Sequence, residues 1–242
     1  MNTTKIIQIS DLHCGSARFD PLLMEQTIKK INKIQPEVLI VTGDLTMDGY
    51  YDEYEMALGY INRMEVEHKI ILPGNHDSRN VGYRTFEVLI GKPFQVLKLN
   101  DILICGVDST EPDLDEGSIG RSKNARLKEA FSEDFRVKIM ALHHHVIPVP
   151  NSGRERNVLV DAGDVLKMAV KTGVNVILSG HKHVPYLWRF ENMKVVTCST
   201  TTSRRIRGIY KPSFNILEVS DGLIIEQQEV EGDSKIIYQG SI

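Results

Sequence analysis

Several apolar runs in this chain end abruptly in residues that bind metals or transfer protons, and this repetition limits what the chain can fold into. The sharpest case is the run 69–72, which is followed by Pro73-Gly74-Asn75-His76-Asp77. Pro73 and Gly74 are typical of a tight turn at the end of a strand. Comparable clusters follow other apolar runs: Asp11-Leu12-His13, Gly43-Asp44, His143-His144-His145 and Gly180-His181-Lys182-His183. Because open α/β sheets bind ligands at the carboxyl ends of their strands, we expect the five clusters to meet in one site.

The order of elements favours an α/β fold. Strands predicted at 5–10, 37–42 and 69–72 alternate with amphipathic helices at 20–34 and 52–65, which indicates a parallel sheet. Further strands are expected at 94–99, 101–107, 136–142 and 174–179, with helices from about 80, at 122–134 and at 161–172. Residues 109–120 are expected to form an acidic surface loop. Short β segments are predicted after His183, at 185–190, 194–199, 213–219 and 222–229.

Length and composition indicate one soluble domain over residues 1–242. The net charge of −3 argues against a large basic surface for duplex nucleic acid. No apolar run is long enough to span a bilayer, and no signal segment precedes the first strand, so we expect a cytoplasmic protein and no membrane partner. Three scattered cysteines fit reduced thiols, and Cys14 is expected to be a small loop residue. The oligomeric state stays open, with a homodimer among the alternatives.

The clusters contain more ionisable side chains than a hydrogen-bond network would tolerate in a protein interior. Two aspartates, an asparagine and at least four histidines would each cost several kcal/mol to desolvate without compensating charge. Metal ions would supply that charge, and mixed imidazole and oxygen ligands suit Mn²⁺, Fe²⁺/Fe³⁺ or Zn²⁺. The set is too large for one ion. It fits two divalent ions that share a bridging aspartate, the arrangement of many phosphate-ester hydrolases.

The five motifs, in this order over residues 6–199, resemble the signature of the calcineurin-like metallophosphoesterases. The resemblance implies a four-layer αββα sandwich, with two mixed sheets covered by helices. It also implies that Asp44 bridges the two ions. One ion would be bound by Asp11, His13 and His183, and the other by Asn75, His143 and His181. The resemblance further implies that His76 is the general acid, assisted by Asp48. Asp77 would be a second residue that orients His76, or a cap of the following helix.

Within that family the chain looks most like the class III cyclic-nucleotide phosphodiesterases, on the residues 74–79, 143–148 and 212–215. The resemblance therefore implies hydrolysis of a small phosphodiester, such as a cyclic nucleotide, by in-line attack of a water that the ions activate. The chain lacks the Asp-Arg-Gly extension typical of protein phosphatases after Asp44, and also the large capping domain of the family's double-strand-break nucleases. A phosphomonoesterase, a nuclease on short RNA or DNA, and a binding module with little turnover are the alternatives.

The roles of individual residues stay open in two segments, the three consecutive histidines and the basic run 203–208. Strand alternation would place His143 and His145 on one face and His144 on the other, so spacing alone cannot choose the ligand. The family resemblance favours His143, assigns His144 to substrate or to support of the metal ligands, and leaves His145 exposed and inert. The basic run 203–208 predicts either a solvated loop or a clamp for phosphate. The candidate substrate-binding residues are Asn75, His144, Arg204, Arg205 and Arg207, with Arg154 and Arg156 as weaker candidates.

Overall fold

The computed structural model describes residues 3–153, 156–204, 206 and 209–242. In this part of the chain, twelve strands and five helices follow one another. The strands are β1 (Thr4–Ile9), β2 (Val38–Thr42), β3 (His68–Leu72), β4 (Phe94–Leu99), β5 (Ile102–Val107), β6 (Val137–Ala141), β7 (Val176–Ser179), β8 (Tyr186–Phe190), β9 (Met193–Thr197), β10 (Ser213–Val219), β11 (Leu223–Glu229) and β12 (Ser234–Gly240). The helices are α1 (Pro21–Ile34), α2 (Tyr51–Asn62), α3 (Gly82–Leu89), α4 (Gly120–Phe131) and α5 (Ala162–Thr172).

The strands form two mixed sheets of six strands each. The first has the order β12-β11-β10-β1-β2-β3, and the second has the order β4-β5-β6-β7-β9-β8. Strands β1, β2 and β3 are parallel, as are β5, β6, β7 and β9, whereas the remaining pairings are antiparallel. The carboxyl ends of each parallel set therefore lie on one edge of their sheet.

Three apolar clusters fill the spaces between four layers. The central cluster joins the inner faces of the two sheets, with Ile6 and Ile40 from the first and Ile104 and Ile139 from the second. A second cluster packs α1, α2 and α3 on the outer face of the first sheet, and a third packs α4 and α5 on the second. Because both faces of the central strands are buried, these strands are continuous apolar runs. The expected four-layer αββα sandwich is confirmed.

One strand differs from the sequence-based expectation, and one loop has contacts that the sequence did not predict. Strand β12 was not predicted. Its outer position leaves most of its side chains exposed, so it has a weak apolar pattern. The segment 109–120 contains the expected acidic surface loop, because residues 111–116 are all exposed. The loop is also attached to the turn that follows β3, since Asp113 N donates to the carbonyl of Ser78 at 3.2 Å, and Ser109 is fully buried.

Two further expectations concern the state of the cysteines and membrane-spanning segments. Cys14, Cys105 and Cys198 are buried and form no disulfide. None of the helices in the described residues has the length and apolar character needed to cross a membrane.

Candidate metal centre

The five polar clusters meet at the carboxyl ends of the parallel strands. Asp11, Asp44 and Asn75 follow β1, β2 and β3 of the first sheet, while His143 and His181 follow β6 and β7 of the second. Side-chain contacts join the two sets, because Asn75 Oδ1 lies 3.1 Å from His143 Nε2 and 3.0 Å from His181 Nδ1. The site therefore lies where the two sheets come together.

One group of ligand atoms is formed by Asp11, His13, Asp44 and His183, which all lie within 4.8 Å of one another. His183 Nε2 is 3.0 Å from His13 Nε2 and 3.2 Å from Asp11 Oδ1. His13 Nε2 is in turn 3.6 Å from Asp44 Oδ2. Two carboxylates and two imidazoles thus converge on one point, as in a metal-binding site.

A second group is formed by Asn75, His143 and His181, and it shares Asp44 with the first. His143 Nε2 lies 3.5 Å from Asp44 Oδ1 and 3.2 Å from His181 Nδ1. The two oxygens of Asp44 therefore face different groups, with Oδ2 toward His13 and Oδ1 toward His143. This is the geometry that a bridging carboxylate needs.

The chemistry of the donor set fits a cation in the second group. The Nδ1 of His143 donates to the carbonyl of Thr42 at 2.7 Å, so its Nε2 carries a lone pair. That lone pair faces the amide oxygen of Asn75 and a carboxylate oxygen of Asp44. Acceptor atoms that face one another need a donor or a positive charge among them, and a single cation would satisfy all three. A backbone hydrogen bond that fixes the tautomer of a ligating histidine is also typical of metal sites.

Burial sets the charge state of the ligands. Desolvation lowers the pKa of His13 to about 4, and it also lowers the pKa of His181, so both imidazoles are neutral at pH 7 as ligands must be. Burial alone would raise the pKa of Asp11, but the facing His183 together with His143 outweighs burial, and the pKa is lowered. The pKa of Asp44 is likewise lowered, by the imidazoles around it and against the effect of burial. Both carboxylates are therefore ionised.

The backbone of the ligand residues is unusual. Asp11, His13, Asp44, His181 and His183 all have φ between 48° and 72°, in the left-handed region. Non-glycine residues seldom adopt this conformation, and such residues are concentrated at functional sites. The turns that aim these side chains are thus compact. At Gly74 a Cβ atom would lie 2.2 Å from Asp44 Oδ1, so this position needs glycine.

His76 lies beside the two groups, and its ring stands edge-on to that of His13 with centroids 4.6 Å apart. Its Nδ1 donates to the carbonyl of Met47 at 2.6 Å. The partner of His76 is thus a backbone carbonyl and not the Asp48 carboxylate that the sequence led us to expect. Asp48 Oδ1 instead accepts from Arg79 Nη1 at 3.2 Å.

Asp77 neither orients His76 nor caps a helix, so the expectation for this residue is wrong. Its carboxylate is fully buried and accepts from the backbone amides of Leu45, Thr46 and Gly74 at 2.8 to 3.0 Å. Asp77 therefore ties the turn after β2 to the turn after β3. It fixes the relative position of the two turns that contribute Asp44 and Asn75.

The three consecutive histidines are all fully buried, because β6 ends at Ala141 and the alternation of a strand does not extend to them. The burial of His144 fits the alternative that it supports the ligand groups and not the one that it contacts substrate. Its Nδ1 accepts from Ser109 Oγ at 2.9 Å and its Nε2 donates to the carbonyl of Asp115 at 3.2 Å. His145 is not exposed, and its ring stacks on that of His181 with centroids 5.7 Å apart. Both residues pack behind the metal ligands.

A cleft of about 380 Å³ opens over the ligand groups. The positive side chains that line it are Arg18, Arg156 and Lys182, and Phe19, Met47, His76 and Asp115 lie on its walls. Arg204 is not among the lining residues. It forms ion pairs with Asp20 and Glu231, and its contact with substrate stays a prediction. Arg154, Arg205 and Arg207 lie outside the described residues.

Several residues of this cleft were not predicted from the sequence, and Arg18 and Asp115 are the charged ones. Arg18 stands alone in the loop before α1, and Asp115 is one of several acidic residues in the segment 109–120. Neither belongs to a motif with recognisable spacing. The only available signal was the proximity of Arg18 to the cluster at 11–13.

Comparisons with known proteins agree with this geometry. A family model described as calcineurin-like phosphoesterase matches residues 4–185. A probable cyclic nucleotide phosphodiesterase of Xenorhabdus bovienii is 26% identical over 247 residues, which covers 91% of this chain and 98% of the relative. The 3′,5′-cyclic adenosine monophosphate phosphodiesterase CpdA of Escherichia coli K12 is also 26% identical, over 199 residues, with 74% of this chain and 69% of the relative covered.

Two solved structures share the fold at low sequence identity. A dimetal phosphatase from Danio rerio superimposes with a TM-score of 0.76 at 9% identity, covering 98% of this chain and 99% of the other. A purple acid phosphatase from yellow lupin gives a TM-score of 0.76 at 12% identity, covering 97% of this chain and 53% of the other.

Proposed function

Because the chain belongs to the calcineurin-like phosphoesterase family, it is a metal-dependent phosphodiesterase, and we propose that its substrate is a small phosphodiester such as a cyclic nucleotide. The observation that carries the proposal is the position of Asp44, whose two oxygens face two different ligand groups. The proposal for the substrate rests on the relatives that match most of this chain and are named as cyclic nucleotide phosphodiesterases.

The proposed ligands divide between the two groups. Asp11, His13 and His183 would hold one ion, Asn75, His143 and His181 would hold the other, and Asp44 would bridge them. Two bound ions would supply charge to stabilise the non-bridging phosphate oxygens and would lower the pKa of a water molecule that attacks phosphorus. The mixed nitrogen and oxygen donors support Mn²⁺, Fe²⁺/Fe³⁺ or Zn²⁺.

His76 is proposed as the general acid. Its Nδ1–H is committed to the carbonyl of Met47, so Nε2 is the ring nitrogen that can give a proton to the departing oxygen. The ring lies in the wall of the cleft and is not one of the converging ligands. We place no proton transfer on Asp48, since its carboxylate contacts Arg79 instead.

The walls of the cleft suit a nucleotide. Arg18 and Arg156 give positive charge beside the site, and Phe19 offers an aromatic ring that packs on Tyr60 with centroids 5.5 Å apart. Phosphate is bound well by guanidinium groups, and a base can stack on an aromatic ring. We therefore propose substrate contacts for Arg18, Arg156 and Phe19, and those of Arg204, Arg205 and Arg207 stay predictions.

Cellular location and assembly are further proposals. Three buried thiols without a disulfide support a reducing compartment, and we propose the cytoplasm. A homodimer stays a prediction.

A substrate panel with metal analysis tests the proposed function. The metal-loaded protein would be assayed on 3′,5′-cyclic AMP, 2′,3′-cyclic AMP, bis(p-nitrophenyl) phosphate and p-nitrophenyl phosphate, with bound metal measured on the same sample. We expect two ions per chain and a higher kcat/KM on one class of cyclic nucleotide than on the monoester. A protein that binds two ions and hydrolyses only the monoester would contradict the substrate proposal. Binding without any turnover would favour a regulatory module.

A further inference from the structure

The loop 108–119 connects β5 to α4 and lies beside the candidate metal centre, where one of its carboxylates contacts Asn75. Asp115 Oδ1 accepts from Asn75 Nδ2 at 3.1 Å and from Arg79 Nη2 at 3.2 Å. The other guanidinium nitrogen of Arg79, Nη1, donates to the carbonyl of Met47 and to Asp48 Oδ1, both at 3.2 Å. Since that carbonyl also binds His76 Nδ1, one chain of contacts joins a proposed metal ligand and the proposed general acid.

The position of Asp115 is itself fixed from behind. Its carbonyl accepts from His144 Nε2 at 3.2 Å. Two residues earlier, Asp113 Oδ1 accepts from the backbone amide of Asn80 at 2.6 Å, so the loop is attached to the turn after β3 at a second point. The carboxylate of Asp115 is therefore held in place although its side chain is 60% exposed.

The contact with Asp115 decides which end of the Asn75 amide faces the ligands. An amide has a donor and an acceptor end, and only the oxygen can bind a cation. Because Nδ2 donates to Asp115, Oδ1 is turned toward His143 and His181. A carboxylate that accepts from a metal ligand both orients it and makes it a better donor, and removal of such a partner typically weakens metal affinity about 10–100-fold.

Arg79 acts on the other side of the network. The carbonyl of Met47 receives two donors, the imidazole of His76 and the guanidinium of Arg79. The same guanidinium also donates to Asp115, so Arg79 links the turn after β2 to the loop 108–119. An exposed ion pair contributes little to stability, so we look for the effect of Arg79 in the orientation of His76 and not in folding.

We propose that Arg79 and Asp115 are positioning residues of the active site. Asp115 fixes the amide of Asn75 with its oxygen toward the ligand groups, and Arg79 fixes the carbonyl that orients His76. The second role rests on the proposed function, because it assumes that His76 is the general acid. The first depends only on metal binding, so the two can be tested apart.

Metal titration of the full chain tests Asp115 without catalysis. Using Mn²⁺ and Zn²⁺ as probes, we expect Asp115→Ala to weaken one of two sites by about 10–100-fold. Asp115→Asn keeps an acceptor oxygen and should recover most of this loss. Lys98→Ala, which removes the exposed ion pair between Lys98 of β4 and Glu133, is the control and should change nothing. Equal affinities for Asp115→Ala and the control would overturn the role of Asp115.

Leaving-group dependence tests Arg79. An alkoxide needs a proton on departure, whereas p-nitrophenolate leaves without one. In Arg79→Ala with both ions bound, we expect kcat to fall about 10–100-fold more on a cyclic nucleotide than on bis(p-nitrophenyl) phosphate. Equal losses on both esters, or no loss, would overturn the role of Arg79.

A spectroscopic measurement of proton exchange distinguishes failure of the positioning role of Arg79 from failure of the proposed function. The Nδ1–H proton of His76, assigned by its absence in His76→Ala, should exchange slowly with solvent in the wild-type protein and faster in Arg79→Ala. That difference is expected even if the protein hydrolyses no phosphodiester. Identical exchange in both proteins would count against the positioning role, and melting temperatures would confirm that all variants are folded.

Discussion

Substitution of Gly74 by alanine tests whether Asp44 bridges both ligand groups. A Cβ atom at position 74 would lie 2.2 Å from Asp44 Oδ1 and 2.3 Å from the backbone nitrogen of Asp44. Contacts between heavy atoms normally begin near 3.5 Å, so the two turns must separate by about 1 Å. The backbone atom cannot move away as a flexible side chain could, and the buried Asp77 holds the same two turns together.

The expected effects of Gly74→Ala follow from that displacement. Metal–ligand distances tolerate about ±0.2 Å, so a shift of about 1 Å in the bridging carboxylate should weaken both sites. A displacement of this size can cost about 10²-fold in rate, and overpacking should destabilise the fold by about 1–3 kcal/mol. Elemental analysis, turnover of bis(p-nitrophenyl) phosphate and thermal unfolding measure the three effects.

Gly59→Ala is the matched control for that experiment. Gly59 lies on the exposed side of α2, and a Cβ atom there would have no heavy atom within 4 Å. Alanine is favoured over glycine inside a helix by about 1 kcal/mol, so this variant should be as stable as the wild type or more stable, with two ions and full activity. If Gly74→Ala also retained two ions and wild-type turnover, the bridging assignment of Asp44 would be refuted.

Three further predictions concern individual side chains. Asp44→Asn should lower the occupancy of both metal sites whereas His13→Ala should lower chiefly one, and full two-metal occupancy in Asp44→Asn would argue against the bridge. His76→Ala should retain both ions and lose about 10²–10⁴-fold in rate on a cyclic nucleotide but far less on an aryl ester, which steady-state kinetics would reveal. Burial lowers the pKa of His144 to about 3, well below its value of about 6.5 in an unfolded chain. As the pH falls from about 6.5 toward 3, the unfolded chain therefore binds a proton at His144 that the folded chain does not bind, and the metal-free protein should lose stability. In denaturant titrations at several pH values, the free energy of unfolding of His144→Gln should depend less on pH than that of the wild type. An unchanged pH dependence would contradict the prediction.

The sequence predicted which residues would meet at one site, because each cluster lies just after an apolar strand. Strand ends are fixed by local patterns, and parallel strands bring their carboxyl ends together without further information. His145 shows where this reasoning stops. β6 ends at Ala141, so alternation no longer describes the three histidines, and tertiary packing buries all of them.

Residues whose role depends on long-range contacts could not be found in this way. Asp115 contacts Asn75 across 40 positions of sequence, and no motif distinguishes it from the acidic residues around it. The same limit applies to Arg204. Its ion-pair partners Asp20 and Glu231 come from opposite ends of the chain, so the sequence around Arg204 gives no sign of them.

The left-handed backbone at five ligand residues indicates that the protein itself shapes the site. Each such conformation costs about 1–3 kcal/mol, so together they approach the net stability of a whole domain, about 5–15 kcal/mol. Other groups must therefore hold these turns. Thr200 Oγ1 donates to the carbonyl of Asp11 and Thr202 Oγ1 to that of Leu12, both at 2.7 Å, while Asp77 accepts from the turn after Asp44. These contacts hold the carbonyls of Asp11 and Leu12 and the turn after Asp44, so protein groups offset part of the cost of the left-handed conformations.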